Sequence, residues 1–167
     1  MAAPDHRAAA PASVVCVVLT VSDTRTAETD TSGGAIASLL HSAGHVVGGR
    51  ALVRDEPEEI RRALTDAIGR DDVDAVLVTG GTGITSRDRT IEVVNALLDK
   101  RLDGFGELFR MLSYDAIGPA AMLSRAIAGL AHGRIVIAMP GSENAVRLAM
   151  EKLVLPELGH LVREARR

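Results

Sequence analysis

A chain of 167 residues, 47% of them hydrophobic, has the size of one domain that can bury a full core. Its net charge of −3, from 19 basic and 22 acidic residues mixed along the chain, offers no basic stripe of the kind nucleic acids require. The longest apolar stretch, Val14 to Val21, is too short to cross a bilayer, and the Ala/Pro-rich start lacks the plan of a signal peptide. A flexible leader is expected over residues 1–12, followed by a single domain over 13–167 in the cytoplasm. Cys16, the only cysteine, lies in a valine run and reads as a small buried thiol, which suits a reducing compartment.

Residues 14–21 (VVCVVLTV) are apolar at nearly every position, as in a strand covered on both faces. The stretch Ser32 to Ala43 then places Ile36, Leu39, Leu40 and Ala43 at helical spacing, with Asp30 or Thr31 as cap and Gly44 as stop. The alternation repeats with a strand over His45 to Val53 and a helix opened by Asp55-Glu56-Pro57, whose Ile60, Leu64, Ala67 and Ile68 share one face. A third strand follows over Asp74 to Thr79, and a third helix over Thr90 to Lys100 with Thr90 as its cap. Past Gly104 the rhythm changes. Gly104 to Gly118 reads as a loop and a short helix, and Met122 to Ala128 and Arg134 to Met139 as an antiparallel pair around a Leu-Ala-His-Gly turn. A last helix from Glu143 is expected to bend at Pro156. Serial βαβ units predict an α/β fold: a mostly parallel, doubly wound sheet with helices on both faces and an added antiparallel strand pair.

In such sheets ligands bind beyond the carboxyl ends of the strands. The third strand ends in Thr79-Gly80-Gly81-Thr82-Gly83, whose glycines let a backbone bare its N–H groups to phosphate oxygens. It lacks the Lys-Ser/Thr of a Walker A loop and the spacing of a dinucleotide fingerprint, and a tight turn without ligand also fits it. The first strand delivers Ser22 and Asp23 to the same edge, and the last delivers Pro140, Gly141 and Ser142. Asp55 and Asp88 add carboxylates there, and two aspartates beside an anion-binding loop suit Mg²⁺. Each also suits helix capping, Asp55 ahead of Pro57 and Asp88 ahead of the Thr90 helix. Arg87, Arg89, Arg110 and Arg125 offer positive charge for a polyanion. The histidines have no metal-ligand spacing, and no serine sits in a nucleophile elbow.

LTVSDTR (19–25), DTSGG (30–34), VTGGTGITSRDRT (78–90), GFGELFRMLSYDAIG (104–118), LSRAIAG (123–129) and AMPGS (138–142) together resemble the family of molybdenum cofactor biosynthesis protein B and the molybdopterin adenylyltransferases. The resemblance spans nearly the whole chain after the leader. It implies a three-layer α/β/α domain that binds molybdopterin and assembles as a homotrimer or a hexamer, with other enzymes of the same pathway as further partners. It also implies adenylylation of molybdopterin by Mg-ATP. Asp55 and Asp88 match the Mg²⁺-linked catalytic aspartates, and Gly80, Gly81, Thr82 and Gly83 the phosphate and pterin loop. Ser22, Ser113 and Ser124 match hydroxylic positions of the pterin pocket, with Asp23 beside Ser22, and Pro140, Gly141 and Ser142 match its border. Many adenylyltransferases carry a proline before the Arg-Asp pair and another after the threonine, where this chain has Ser86 and Ile91. The alternative activity is a binding-only molybdopterin carrier or scaffold in the same pathway, and a hydrolase or sensor of another phosphorylated metabolite is a third.

Overall fold

The computed structural model describes residues 8–167. Its strands β1 (Val15–Val21), β2 (Val46–Val53), β3 (Ala75–Thr79), β4 (Lys100–Arg101), β5 (Ile127–Ala131) and β6 (Arg134–Met139) form one sheet in the order β2-β1-β3-β6-β5-β4. The pairs β2-β1, β1-β3 and β3-β6 are parallel, and β6-β5 and β5-β4 antiparallel. The expected mostly parallel sheet with an added antiparallel pair is what forms. The chain order reverses at β1, so β1 and β3 diverge into a switch point at their carboxyl ends.

Period-two alternation sends each central strand to two cores. Cys16, Val18, Ala75, Leu77, Ile135 and Ile137 pack on one face, with Ile36 and Leu40 of α1 (Thr31–Ser42) and Phe109 of α4 (Asp103–Ile117). On the same face lie Val146 of α5 (Glu143–Ala149) and Leu158 of α6 (Leu155–Ala165). Val17, Leu19, Val76, Val78, Val136 and Ala138 pack on the other face, against Ile60 and Leu64 of α2 (Pro57–Ile68) and Val93 and Val94 of α3 (Thr90–Leu97). The result is the three-layer α/β/α sandwich. Cys16 is fully buried, and burial pushes its thiol up to about 12, which leaves it protonated and inert.

Four local expectations need correction. Gly104 to Gly118 is not a loop with a short helix, because α4 runs through nearly all of it. Gly106 misleads as a turn signal: a Cβ there would sit 2.9 Å from the Ala126 carbonyl, so the glycine lets α4 approach the entry to β5. Met122 is not in a strand, since Gly118–Leu123 forms a 3₁₀ turn with Pro119 at its start and β5 begins at Ile127. Helix α3 stops at Leu97, and Leu98 turns extended so that Lys100–Arg101 can pair with β5. Thr90 is the first residue of α3 and makes no cap bond.

The β5–β6 hairpin turns on His132 and Gly133, at φ 48° and 75°, the two left-handed residues of a type I′ turn. The expected bend at Pro156 takes the form of a π turn over Met150–Val154 that joins α5 to α6, just before the residue that lacks an N–H. Of the expected leader, residues 1–7 lie outside the described residues, and Pro11 lies against Gly159 of α6. Among the described residues no helix is long and apolar enough to cross a membrane.

Candidate functional site

The carboxyl ends of β1, β3 and β6 open onto a cleft of about 260 Å³ lined by Thr20, Ser22, Asp23, Arg25, Asp55, Gly80, Gly81, Arg87, Asp88 and Gly141, among others. This is the switch point, where loops leaving β1 and β3 part to opposite faces of the sheet. Gly80 and Gly81, at φ 96° and 66°, take the strand into its loop through a backbone that side chains other than glycine rarely adopt. A Cβ on Gly80 would overlap the Val21 carbonyl oxygen, and one on Gly81 would overlap the Thr90 hydroxyl and lie 2.7 Å from Asp55 Oδ2.

The carboxylates are held by backbone donors. Asp55 Oδ1 accepts the Arg89 N–H at 3.1 Å, and the Asp55 N–H donates to Asp23 Oδ1 at 3.0 Å. Asp88 Oδ2 accepts both the N–H and the hydroxyl of Thr85, at 2.9 and 2.6 Å, which closes the loop on itself. Asp55 is buried, and desolvation pushes its carboxyl above the usual range. The Arg89 N–H opposes that shift, and the charges of Asp88 and Asp23 add to it. Asp23 moves the other way, held down by the Asp55 N–H and by Arg87.

Of the residues expected at the site, the cleft gathers Ser22, Asp23, Asp55, Gly80, Gly81, Asp88 and Gly141. The others lie beside it or farther off. Thr82 is buried, and its carbonyl and that of Gly83 accept from Arg125 Nε at 2.9 and 3.1 Å. Arg125 also pairs with Glu92 at 2.6 Å, so its charge serves the back of the loop. The Pro140 carbonyl accepts the Thr79 hydroxyl at 2.9 Å, and Ser142 caps α5 through the Ala145 N–H at 3.2 Å. Ser22 Oγ accepts the N–H groups of Thr24 and Arg25, at 3.2 and 3.0 Å, and so shapes the turn after β1. Ser113, buried in α4, donates back to the Phe109 carbonyl at 2.8 Å, and Ser124 follows the 3₁₀ turn next to Arg125.

Sequence reasoning missed Arg25 and Ser32 as cleft residues. The first belongs to the same strand-end segment as Ser22 and Asp23, and that adjacency was the available signal. It also missed how Asp30 braces the rim: Asp30 accepts from Gly33 N–H at 2.9 Å, the Thr20 hydroxyl at 2.7 Å and Arg50 at 3.2 Å, fixing α1 to the end of β1. The Thr90 hydroxyl is buried without any partner among the described residues. A buried hydroxyl left unpaired costs about 1–3 kcal/mol. Thr90→Val, equal in shape, is therefore expected to raise the melting temperature, and a fall would show that the hydroxyl is bonded in solution.

The donor set fits Mg²⁺. No hydrogen bond among the described residues reaches Asp55 Oδ2 or Asp88 Oδ1, and both residues line a polar cleft. Among the described residues no three His, Cys, Asp or Glu side chains form a closed metal cage. Mg²⁺ does not need one, since it keeps water and ligand oxygens beside one or two carboxylates. The cleft lining also sets three aspartates against two arginines, an arrangement that disfavours a bare polyanion and favours one already partnered by a divalent cation.

The sequence model of the family described as "Probable molybdopterin binding domain" matches residues 17–160. Molybdenum cofactor biosynthesis protein B of Bacillus cereus is 54% identical, across 100% of this chain and 99% of its own. A crystal structure of a molybdenum cofactor biosynthesis protein B superposes with a TM-score of 0.92 at 56% identity, covering 95% of this chain and 99% of that one. A tungsten cofactor synthesizing protein from Pyrococcus furiosus gives 0.83 at 40% identity, covering 95% and 100%.

Proposed function

This chain belongs to the molybdopterin-binding family of molybdenum cofactor biosynthesis proteins, and from that premise we propose that it adenylylates molybdopterin with Mg-ATP and releases pyrophosphate. The observation that carries the reading is the pairing of Asp55 and Asp88, each with one carboxylate oxygen unbonded, on either side of a glycine turn at the switch point. Asp55 and Asp88 would hold Mg²⁺, which when bound neutralises phosphate charge and steadies the departing pyrophosphate. The terminal phosphate of molybdopterin attacks the α-phosphorus of ATP. A new P–O–P bond forms, the bond to the β-phosphate breaks, and pyrophosphate leaves with its electron pair. The nucleophile is already an anion, so the protein needs no strong base. Its work is positioning and charge balance, which the backbone N–H of Gly81 and the guanidinium of Arg25 can supply, the Gly80 N–H being taken by the Met139 carbonyl at 3.1 Å.

Purified protein incubated with molybdopterin, ATP and Mg²⁺ is expected to release pyrophosphate and yield the adenylylated pterin by mass, only when the metal is present. Pterin binding without pyrophosphate release would overturn the transferase reading and leave a carrier.

We also propose that the chain works as a homotrimer or a hexamer of two trimers. Leu108, Met111, Tyr114 and Ile117 of α4 and Met122 and Leu123 after it are 46–76% exposed, an unusual density of bare apolar side chains in one segment. Phe105 and Phe109 of the same helix turn inward instead, stacked with ring centres 6.2 Å apart. Light scattering on a size-exclusion column should give three or six subunits, and Met111→Glu with Met122→Glu should shift the mass downward. A monomeric wild type would end the proposal.

A further inference from the structure

One charged group of the cleft is tied down in a way that the proposed chemistry leaves unused. Arg87 spans the mouth: its Nε and Nη2 donate to the Asp23 carboxylate at 3.1 Å, and its Nη1 donates to Glu56 Oε1 at 2.9 Å. These partners come from the loop after β1 and the start of α2, while Arg87 itself belongs to the loop after the glycine turn. Asp23 is committed twice, because it also accepts the Asp55 N–H at 3.0 Å. Arg25, on the same rim, donates only to the Thr29 carbonyl at 2.8 Å and has no carboxylate partner among the described residues. The rim thus carries one cation free of carboxylates and one shared between two.

A guanidinium fork that grips a carboxylate through two N–H groups grips a phosphate in the same geometry. The Arg87, Asp23 and Glu56 side chains are 55%, 38% and 44% exposed, and ion pairs as wet as these hold weakly and exchange readily. We propose that Arg87 is a phosphate-exchanged strap: a Mg²⁺-bound polyphosphate entering the cleft displaces Glu56 as an acceptor of Arg87, and the arginine passes from the rim to the ligand. The proposal rests on the nucleotide reading of the cleft and adds a competitor to it. Glu56 holds Arg87 back until an anion of higher charge takes its place. Opening the strap loosens the bridge between the start of α2 and the loop after β3 while the ligand forms a new one, so the rim rearranges about the polyphosphate.

A strap and a merely structural ion pair differ in sign. If Glu56 competes with the ligand, removing its charge tightens binding; if the pair only braces the loops, removing it weakens binding or leaves it unchanged. Calorimetric titration of Mg-pyrophosphate into wild type, Glu56→Gln and Arg87→Met reads this directly. Glu56→Gln should bind about threefold tighter or more, and Arg87→Met about tenfold weaker or more. Equal or weaker binding by Glu56→Gln, or unchanged binding by Arg87→Met, overturns the strap. The two readings fail separately. Pyrophosphate binding that shifts as stated, in a protein without adenylyl transfer, keeps the strap and removes the transferase. Adenylyl transfer with pyrophosphate affinity equal in all three proteins does the reverse.

Discussion

Asp88→Asn and Asp55→Asn should each lower adenylyl transfer by about a hundred- to a thousandfold while the protein stays folded. Neither change alters shape. The amide oxygen introduced by Asp88→Asn can still accept the Thr85 N–H, and that introduced by Asp55→Asn the Arg89 N–H. The loops keep their anchors while the charge that would hold Mg²⁺ is gone. The two variants should part in stability. Burial raises the Asp55 carboxyl above its ordinary range, helped by Asp88 and Asp23. Between the ordinary and the raised value the folded chain retains a proton that the unfolded chain has lost, so stability declines as pH rises through that window and stays lower above it. Asp55→Asn removes this penalty. Its melting temperature at pH 7.5 should exceed the wild type's, and the gain should have largely faded at about pH 3, below the ordinary aspartate value. Thermal melts at the two pH values check the sign, and turnover of Asp88→Asn equal to wild type would remove the proposed metal role.

Gly80→Ala should be the most damaging single change in the cleft. Residue 80 sits at φ 96°, and its Cβ would overlap the Val21 carbonyl oxygen, a backbone atom at the end of β1 where Val21 pairs with Val53 of β2. Strain and overlap together should lower stability by about 4 kcal/mol, roughly 8–16 °C in melting temperature. Gly34→Ala is the matched control. Gly34 lies inside α1 with no atom within 4 Å of an added Cβ, so alanine there should stabilise by about 0.5–1 kcal/mol. A Gly80→Ala protein that melts with the wild type would mean the glycine turn is more pliable than its geometry indicates.

The parallel half of the fold was legible because its signals are local and agree with one another. The continuous apolar run of β1 marked a strand buried on both faces, and Pro57 with Ile60, Leu64, Ala67 and Ile68 marked the start and inner face of α2. The antiparallel half was harder to read because its glycines serve packing between elements. Gly106 in α4 looks like a break until Ala126 is seen beside it. The two-residue strand β4 has no period of its own and exists only because β5 is there to pair with it. For the site, strand order explains what could be read: residues at the carboxyl ends of β1 and β3 had to meet, so Ser22, Asp23, Gly80 and Gly81 share the cleft. The tie of Arg125 to the glycine loop and the tie of Arg87 to Asp23 join residues 42–64 positions apart, and no spacing rule announces them.

The cleft takes its walls from the ends of β1 and β3, the start of α2 and the turn after β6. No one of these segments forms it alone, and no local opening leaves a working part of it behind. Ligand binding and global unfolding are therefore the two ends of a single linkage: a ligand held at about a hundred times its dissociation constant should stabilise the whole sheet by about 2.7 kcal/mol. Amide exchange would report it, with β1, β3 and β6 slowed by a common factor on ligand addition while frayed helix ends keep their own rates.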